Sequence, residues 1–120
     1  MPRHLNANGT AWSYAPPAGG IDGSTTAVTI KAAAGAGVRN YITGLQVSHA
    51  TLANATELAI RDGAGGTVLW RMTLGTTAAE SLPIHFATPL RGSLNTLLEV
   101  VTLTSAAGDV LVNAQGFSAT

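Results

Sequence analysis

The sequence predicts an all-β fold: an antiparallel, jelly-roll-like β-sandwich of about eight strands, with an extended N-terminal arm. Three observations lead there. Apolar and polar residues alternate in short runs spaced roughly ten residues apart, the pattern of a sandwich or barrel. Glycine-rich clusters stand between the runs, where turns are needed. Helical periodicity is almost missing, and only residues 51–58 and 76–81 could form a helical turn, chiefly because of their alanines. Eight strands in two facing sheets suggest a jelly roll, whereas an immunoglobulin-like sandwich would fit seven.

Residues 1–24 carry Pro2, Pro16, Pro17, Gly9, Gly19, Gly20 and Gly23 together with Trp12 and Tyr14. A proline-rich segment with isolated rings cannot pack a core alone, so this stretch reads as an extended arm. Two placements are open. The arm lies across a neighbouring surface, anchored through Trp12, Tyr14, Pro16 and Pro17, or it folds back over its own domain. The sandwich domain then spans residues 25–120.

Within that domain, Thr25 to Ala32 alternates Val28 and Ile30 with Thr29 and Lys31, a first strand ended by Gly35-Ala36-Gly37. The run from Arg39 to His49 places Tyr41, Leu45 and Val47 on one face. Thr56 to Asp62 turns Leu58 and Ile60 inward and Glu57 and Arg61 outward, and Gly63-Ala64-Gly65-Gly66 follows as a turn. Thr67 to Leu74 has Val68, Trp70, Met72 and Leu74 on one face, opposite Arg71 and Thr73. Leu82, Ile84 and Phe86 alternate too, but Pro83 confines that strand to an edge or an irregular segment.

The last two strands, Leu97 to Leu103 and Val110 to Phe117, flank Ser105-Ala106-Ala107-Gly108 and read as a hairpin. Both are apolar on both faces. Leu98, Val100, Val110 and Val112 share one alternation; Leu97, Val101, Leu103, Leu111 and Phe117 occupy the other. A sheet with one wet face does not look like this, so the outer side is covered by a second layer or by another chain. The second set of residues is the candidate oligomer interface.

Composition narrows the function. The 120 residues are enough for one domain with a single core. There is no cysteine, which removes disulfides, thiolate metal sites and a cysteine nucleophile. Six Lys and Arg balance six Asp and Glu, and only 10% of residues are charged, a surface poorly equipped to stay solitary in water. No basic run supports nucleic-acid binding, and no apolar run reaches the length of a membrane span. Met1 to Asn6 has no apolar segment of the signal-peptide type.

No catalytic, metal-ligating or cofactor-binding set emerges, and no cofactor is expected. Asp22, Glu57, Asp62, Glu80, Glu99 and Asp109 are dispersed, and Glu57 with Arg61 reads as a solvated ion pair on one strand face. Glu99 is expected to face solvent, or else to be buried at an interface opposite an arginine such as Arg39 or Arg91. His4, His49 and His85 lack the close spacing that puts two imidazoles on one metal and read as surface or interface residues. There is no G-x-S-x-G elbow, and the two glycine-rich stretches complete no phosphate loop.

The stretches Trp12-Ser13-Tyr14-Ala15-Pro16-Pro17-Ala18-Gly19-Gly20-Ile21, Val28-Thr29-Ile30-Lys31-Ala32-Ala33, Arg39-Asn40-Tyr41-Ile42-Thr43 and Val112-Asn113-Ala114-Gln115-Gly116-Phe117 resemble small proteins encoded among the virion structural genes of tailed bacteriophages. Such proteins look like capsid decoration, or cement, proteins: small β-rich oligomers on the outside of the head. The resemblance implies a non-enzymatic protein made in the host bacterial cytoplasm, bound to the major capsid protein, self-associating as a trimer or dimer, and bridging capsid subunits. The rival reading is a carbohydrate- or receptor-binding β-sandwich of a phage fibre or tail, with Trp70 or Trp12 stacked on a sugar ring.

Overall fold

The computed structural model describes residues 9–21 and 25–120. Eight strands form: β1 Thr10–Tyr14, β2 Val28–Lys31, β3 Arg39–His49, β4 Thr56–Asp62, β5 Thr67–Leu74, β6 Ala79–Leu94, β7 Leu98–Thr102 and β8 Val110–Ala119. They make two four-stranded antiparallel sheets, ordered β1-β8-β3-β6 and β2-β7-β4-β5. That order is two interlocked Greek keys, a jelly roll. No helix occurs among the described residues, and the alanine-rich stretches 51–55 and 75–78 are loops.

Each strand turns one alternation into the space between the sheets. Ile42, Leu45, Val47, Val110, Val112 and Ala114 from the first sheet meet Ile30, Leu58, Ile60, Leu74, Leu98 and Val100 from the second. Burying such side chains, each worth about 1.5–3 kcal/mol, fixes which face of every strand points inward. Asn40, also buried, donates to the Ala32 carbonyl at 2.9 Å and accepts from the Ser118 hydroxyl at 2.6 Å, tying β3 to the loop after β2 and to β8.

The bounds of β3, β4 and β5 are those the sequence predicts, and Pro83 does lie on an edge strand, β6. Five expectations are corrected. On β5, Leu69 is an extra residue, so Val68 pairs with the outward Arg61 and does not share the face of Trp70, Met72 and Leu74. The segment expected as an arm supplies β1, which pairs with β8 from Thr10↔Ser118 to Tyr14↔Ala114, so the sandwich begins before residue 25. The fold-back placement is the one seen for residues 9–21; residues 1–8 and 22–24 of that segment lie outside the described residues.

The closing hairpin does not form, because β7 and β8 belong to different sheets and the 103–109 loop arches between them. Their apolar alternations look alike because each is a central strand of its own sheet. Along β3, Thr43 is an extra residue: Ile42 pairs with Gly116 and Gly44 with Gln115. This bulge reverses the alternation, so Tyr41 lies on the opposite face from Leu45 and Val47, and Ile42 takes the inner position. On β4, finally, Glu57 and Arg61 do not pair with each other. Arg71 of β5 bonds Glu57 at 3.2 Å, and Arg61 bonds Glu99 of β7 at 2.6 Å.

Candidate interaction face

The two outer faces of the sandwich differ in chemistry. On the second sheet, register aligns Glu57, Ala59 and Arg61 of β4 with Arg71 and Thr73 of β5 and with Glu99 and Val101 of β7. Both carboxylates are engaged by arginines. Glu99 is only 5% exposed; its Oε2 takes the Arg61 Nε–H at 2.6 Å and the Gly65 amide at 3.0 Å. Gly65 offers that amide from a positive φ of 66°, which a glycine adopts without strain. Glu99 is thus a buried clasp of the β4–β5 turn, neither solvent-facing nor opposite Arg39 or Arg91. Charge on this face is neutralised within the chain.

The first sheet presents the other kind of surface. Outward positions are Ala11 and Ser13 on β1, Leu111, Asn113, Gln115 and Phe117 on β8, Tyr41, Gln46 and Ser48 on β3, and Pro83, His85 and Arg91 on β6. One register row crosses all four strands: Ala11, Phe117, Tyr41, Arg91. The Tyr41 and Phe117 rings stack with centroids 4.6 Å apart and planes 11° from parallel. Beside them lies an open hollow of about 520 Å³ bordered by Tyr41, Thr88, Pro89, Arg91, Phe117, Ala119 and Thr120.

The residues expected to make one oligomer interface are divided by the fold. Leu111 and Phe117 lie half-buried on the outer face of the first sheet, while Val101 is buried on the second sheet and Leu103 follows it half-buried. Leu97 sits in the turn before β7. No single surface contains all five. Sequence reasoning missed Tyr41 and Arg91, since the bulge at Thr43 carries no pattern signal and Arg91 acquires its neighbours only through β3–β6 pairing.

The aromatic residues of the expected anchor point inward. Trp12 and Tyr14 pack against the core, and their Nε1–H and hydroxyl are buried with no hydrogen-bond partner among the described residues. Burial pushes the Tyr14 phenol above its ordinary value of 10.0, because the phenolate loses hydration there. Pro16 is half-buried; Pro17 is exposed, and its carbonyl accepts the Gly20 amide at 2.9 Å. Trp70 packs edge-on to Phe86 at 6.0 Å between the sheets.

Among the described residues, no group of three or more His, Cys, Asp or Glu is placed to hold a metal ion. His49, expected at the surface or an interface, is buried with Nδ1 2.8 Å from the Ala50 carbonyl oxygen, and His85 is exposed on β6. No protein-family model matches the chain, and comparison with curated proteins finds no relative.

Proposed function

We propose that this protein is a capsid decoration protein of a tailed bacteriophage, which binds the outside of the head and stabilises it by bridging capsid subunits. The observation that carries the reading is β8, a central strand apolar on both sides. Val110, Val112 and Ala114 fill the core, while Leu111 and Phe117 are left half-buried on the outer face of the first sheet. Half-buried apolar side chains at a sheet surface, on a chain with few charges, support a protein–protein contact there. Such a protein acts by binding alone, and repeated copies on a lattice multiply modest contacts into stable attachment. Self-association as a dimer or trimer belongs to the same reading.

The arm-anchor version of this reading changes. With Trp12 and Tyr14 packed inward, Trp12→Ala removes core packing as well as any anchor, so it is a poor test of attachment. Against the fibre-type, sugar-binding alternative, Trp70 is half-buried and packed edge-on with Phe86 against the core.

The test is co-sedimentation of the purified protein with undecorated mature heads of the phage that encodes it, counting bound copies per head. Saturation at a stoichiometry matching the lattice is expected. Competent heads that retain no protein would overturn the decoration role and direct attention to glycan binding.

A further inference from the structure

We infer that the row Phe117–Tyr41–Arg91 on the outer face of the first sheet is the docking site for a carboxylate-bearing protein surface. This identifies the chemistry of the partner and rests on the decoration reading above. Arg91 provides the charge argument. It is exposed, and no described residue bonds or neutralises it, whereas Arg61 and Arg71 on the opposite face each hold a carboxylate.

Among the described side chains, β1, β3, β6 and β8 carry no carboxylate at all. Glu80 belongs to β6 but stands at the far end of that strand from Arg91. The other arginine of the sheet, Arg39, already donates to the Gly92 carbonyl at 3.0 Å. Asp62 of β4 reaches β6 but is held by the Ser93 amide and hydroxyl, so the Arg91 guanidinium, to which no described acidic side chain bonds, is complementary to an acidic partner.

The geometry beside Arg91 says what should accompany the acid. Tyr41 follows Arg91 in the row with its hydroxyl unbonded by any described residue, then comes the stacked Phe117, then Ala11, whose methyl leaves that flank of Phe117 low. Arg91, Tyr41 and Phe117 border the 520 Å³ hollow together with Pro89, Ala119 and Thr120. An Asp or Glu of the partner sits on Arg91 in the fork-to-fork arrangement that guanidinium allows, and an adjacent apolar side chain fills the hollow against the rings. Arg and Tyr at the centre of an apolar patch are the residue types that dominate binding energy at interfaces.

The experiment compares head binding of the wild-type chain, Arg91→Glu, Tyr41→Ala and, as a control on the opposite face, Arg71→Ala. Arg91→Glu changes an exposed side chain, and an unaltered melting temperature checks that it folds. Binding at least about tenfold weaker for Arg91→Glu, with Arg71→Ala like wild type and wild-type binding weakened by added salt, is the expected result. Equal retention of wild type and Arg91→Glu overturns the docking site while leaving the decoration role standing. No retention of wild type overturns both. Release of the wild type by excess free glucuronate assigns Arg91 to an acidic sugar and overturns the protein-surface partner.

Discussion

Arg61 reaches across from β4 to β7 and closes on Glu99 at 2.6 Å, with the carboxylate side chain only 6% exposed and the guanidinium side 22%. Two opposite charges on the outer face of a sheet are thereby enclosed. The same carboxylate holds the amide of Gly65, so one side chain links two strands and the turn joining β4 to β5. Removing one partner of such a pair strands the other without compensation.

Arg61→Ala is therefore expected to destabilise the fold by about 3 kcal/mol, read from urea denaturation midpoints. The double change Arg61→Met with Glu99→Leu should recover most of that loss, since well-packed apolar replacements avoid the desolvation cost. A double variant as unstable as the single one would show that the Gly65 bond, not the ion pair, dominates.

Tyr14 gives a pH dependence with a definite sign. Its phenol is shifted upward by burial, so the folded chain holds the proton more tightly than the unfolded chain does. The stability linked to the neutral phenol is complete below the unfolded value of 10.0 and is lost as pH rises through the folded value. Melting temperature should fall more steeply above pH 10 in wild type than in Tyr14→Phe. At neutral pH that variant should match wild type or exceed it slightly, because it deletes a buried hydroxyl without a described partner.

Gly116 is where β1 is seated. A side chain there would meet the Tyr41 carbonyl and come 2.7 Å from Cζ2 of Trp12, its register partner. Gly116→Ala should push β1 off the sheet edge. In a Trp70→Phe background, Trp12 emission should shift to the red and melting temperature should drop; an unchanged spectrum would mean that β1 absorbs the methyl by sliding.

Asn40 is a polar residue 1% exposed that serves β2, β6–β7 and β8 chain segments at once, its Nδ2 also lying 3.4 Å from the Thr96 carbonyl. Asn40→Leu retains volume but leaves the Ala32 carbonyl and Ser118 hydroxyl unmatched. A loss of about 2–3 kcal/mol in denaturant titration is expected, more than the substitution of a surface Asn would cost.

Strand identity was written in the chain. The period of two in residues 56–62 and 67–74, bounded by Gly63 to Gly66, specifies a hairpin locally, and β4 and β5 form it with β4 on its predicted face, while the extra residue Leu69 turns Val68 away from the face of Trp70, Met72 and Leu74. Pro83 signals an edge because proline has no amide to give a second neighbour, and β6 is an edge strand. Length, low charge and two-sided apolar strands together indicate a sandwich. All of these follow from backbone periodicity and side-chain type, which act over a few residues.

Tertiary structure alone decided the rest. The pairing of β1 with β8 and of β2 with β7 joins opposite ends of the chain, and no local pattern distinguishes an arch between sheets from a hairpin within one. One unpaired residue, Thr43, reverses the face of Tyr41, because side chains alternate with every residue and a single insertion inverts all that follow. Arg61 finds Glu99 rather than Glu57, and Phe117 finds Tyr41, because cross-strand neighbours lie closer than same-face residues along one strand. The candidate interaction face exists only once those long-range pairings have assembled it.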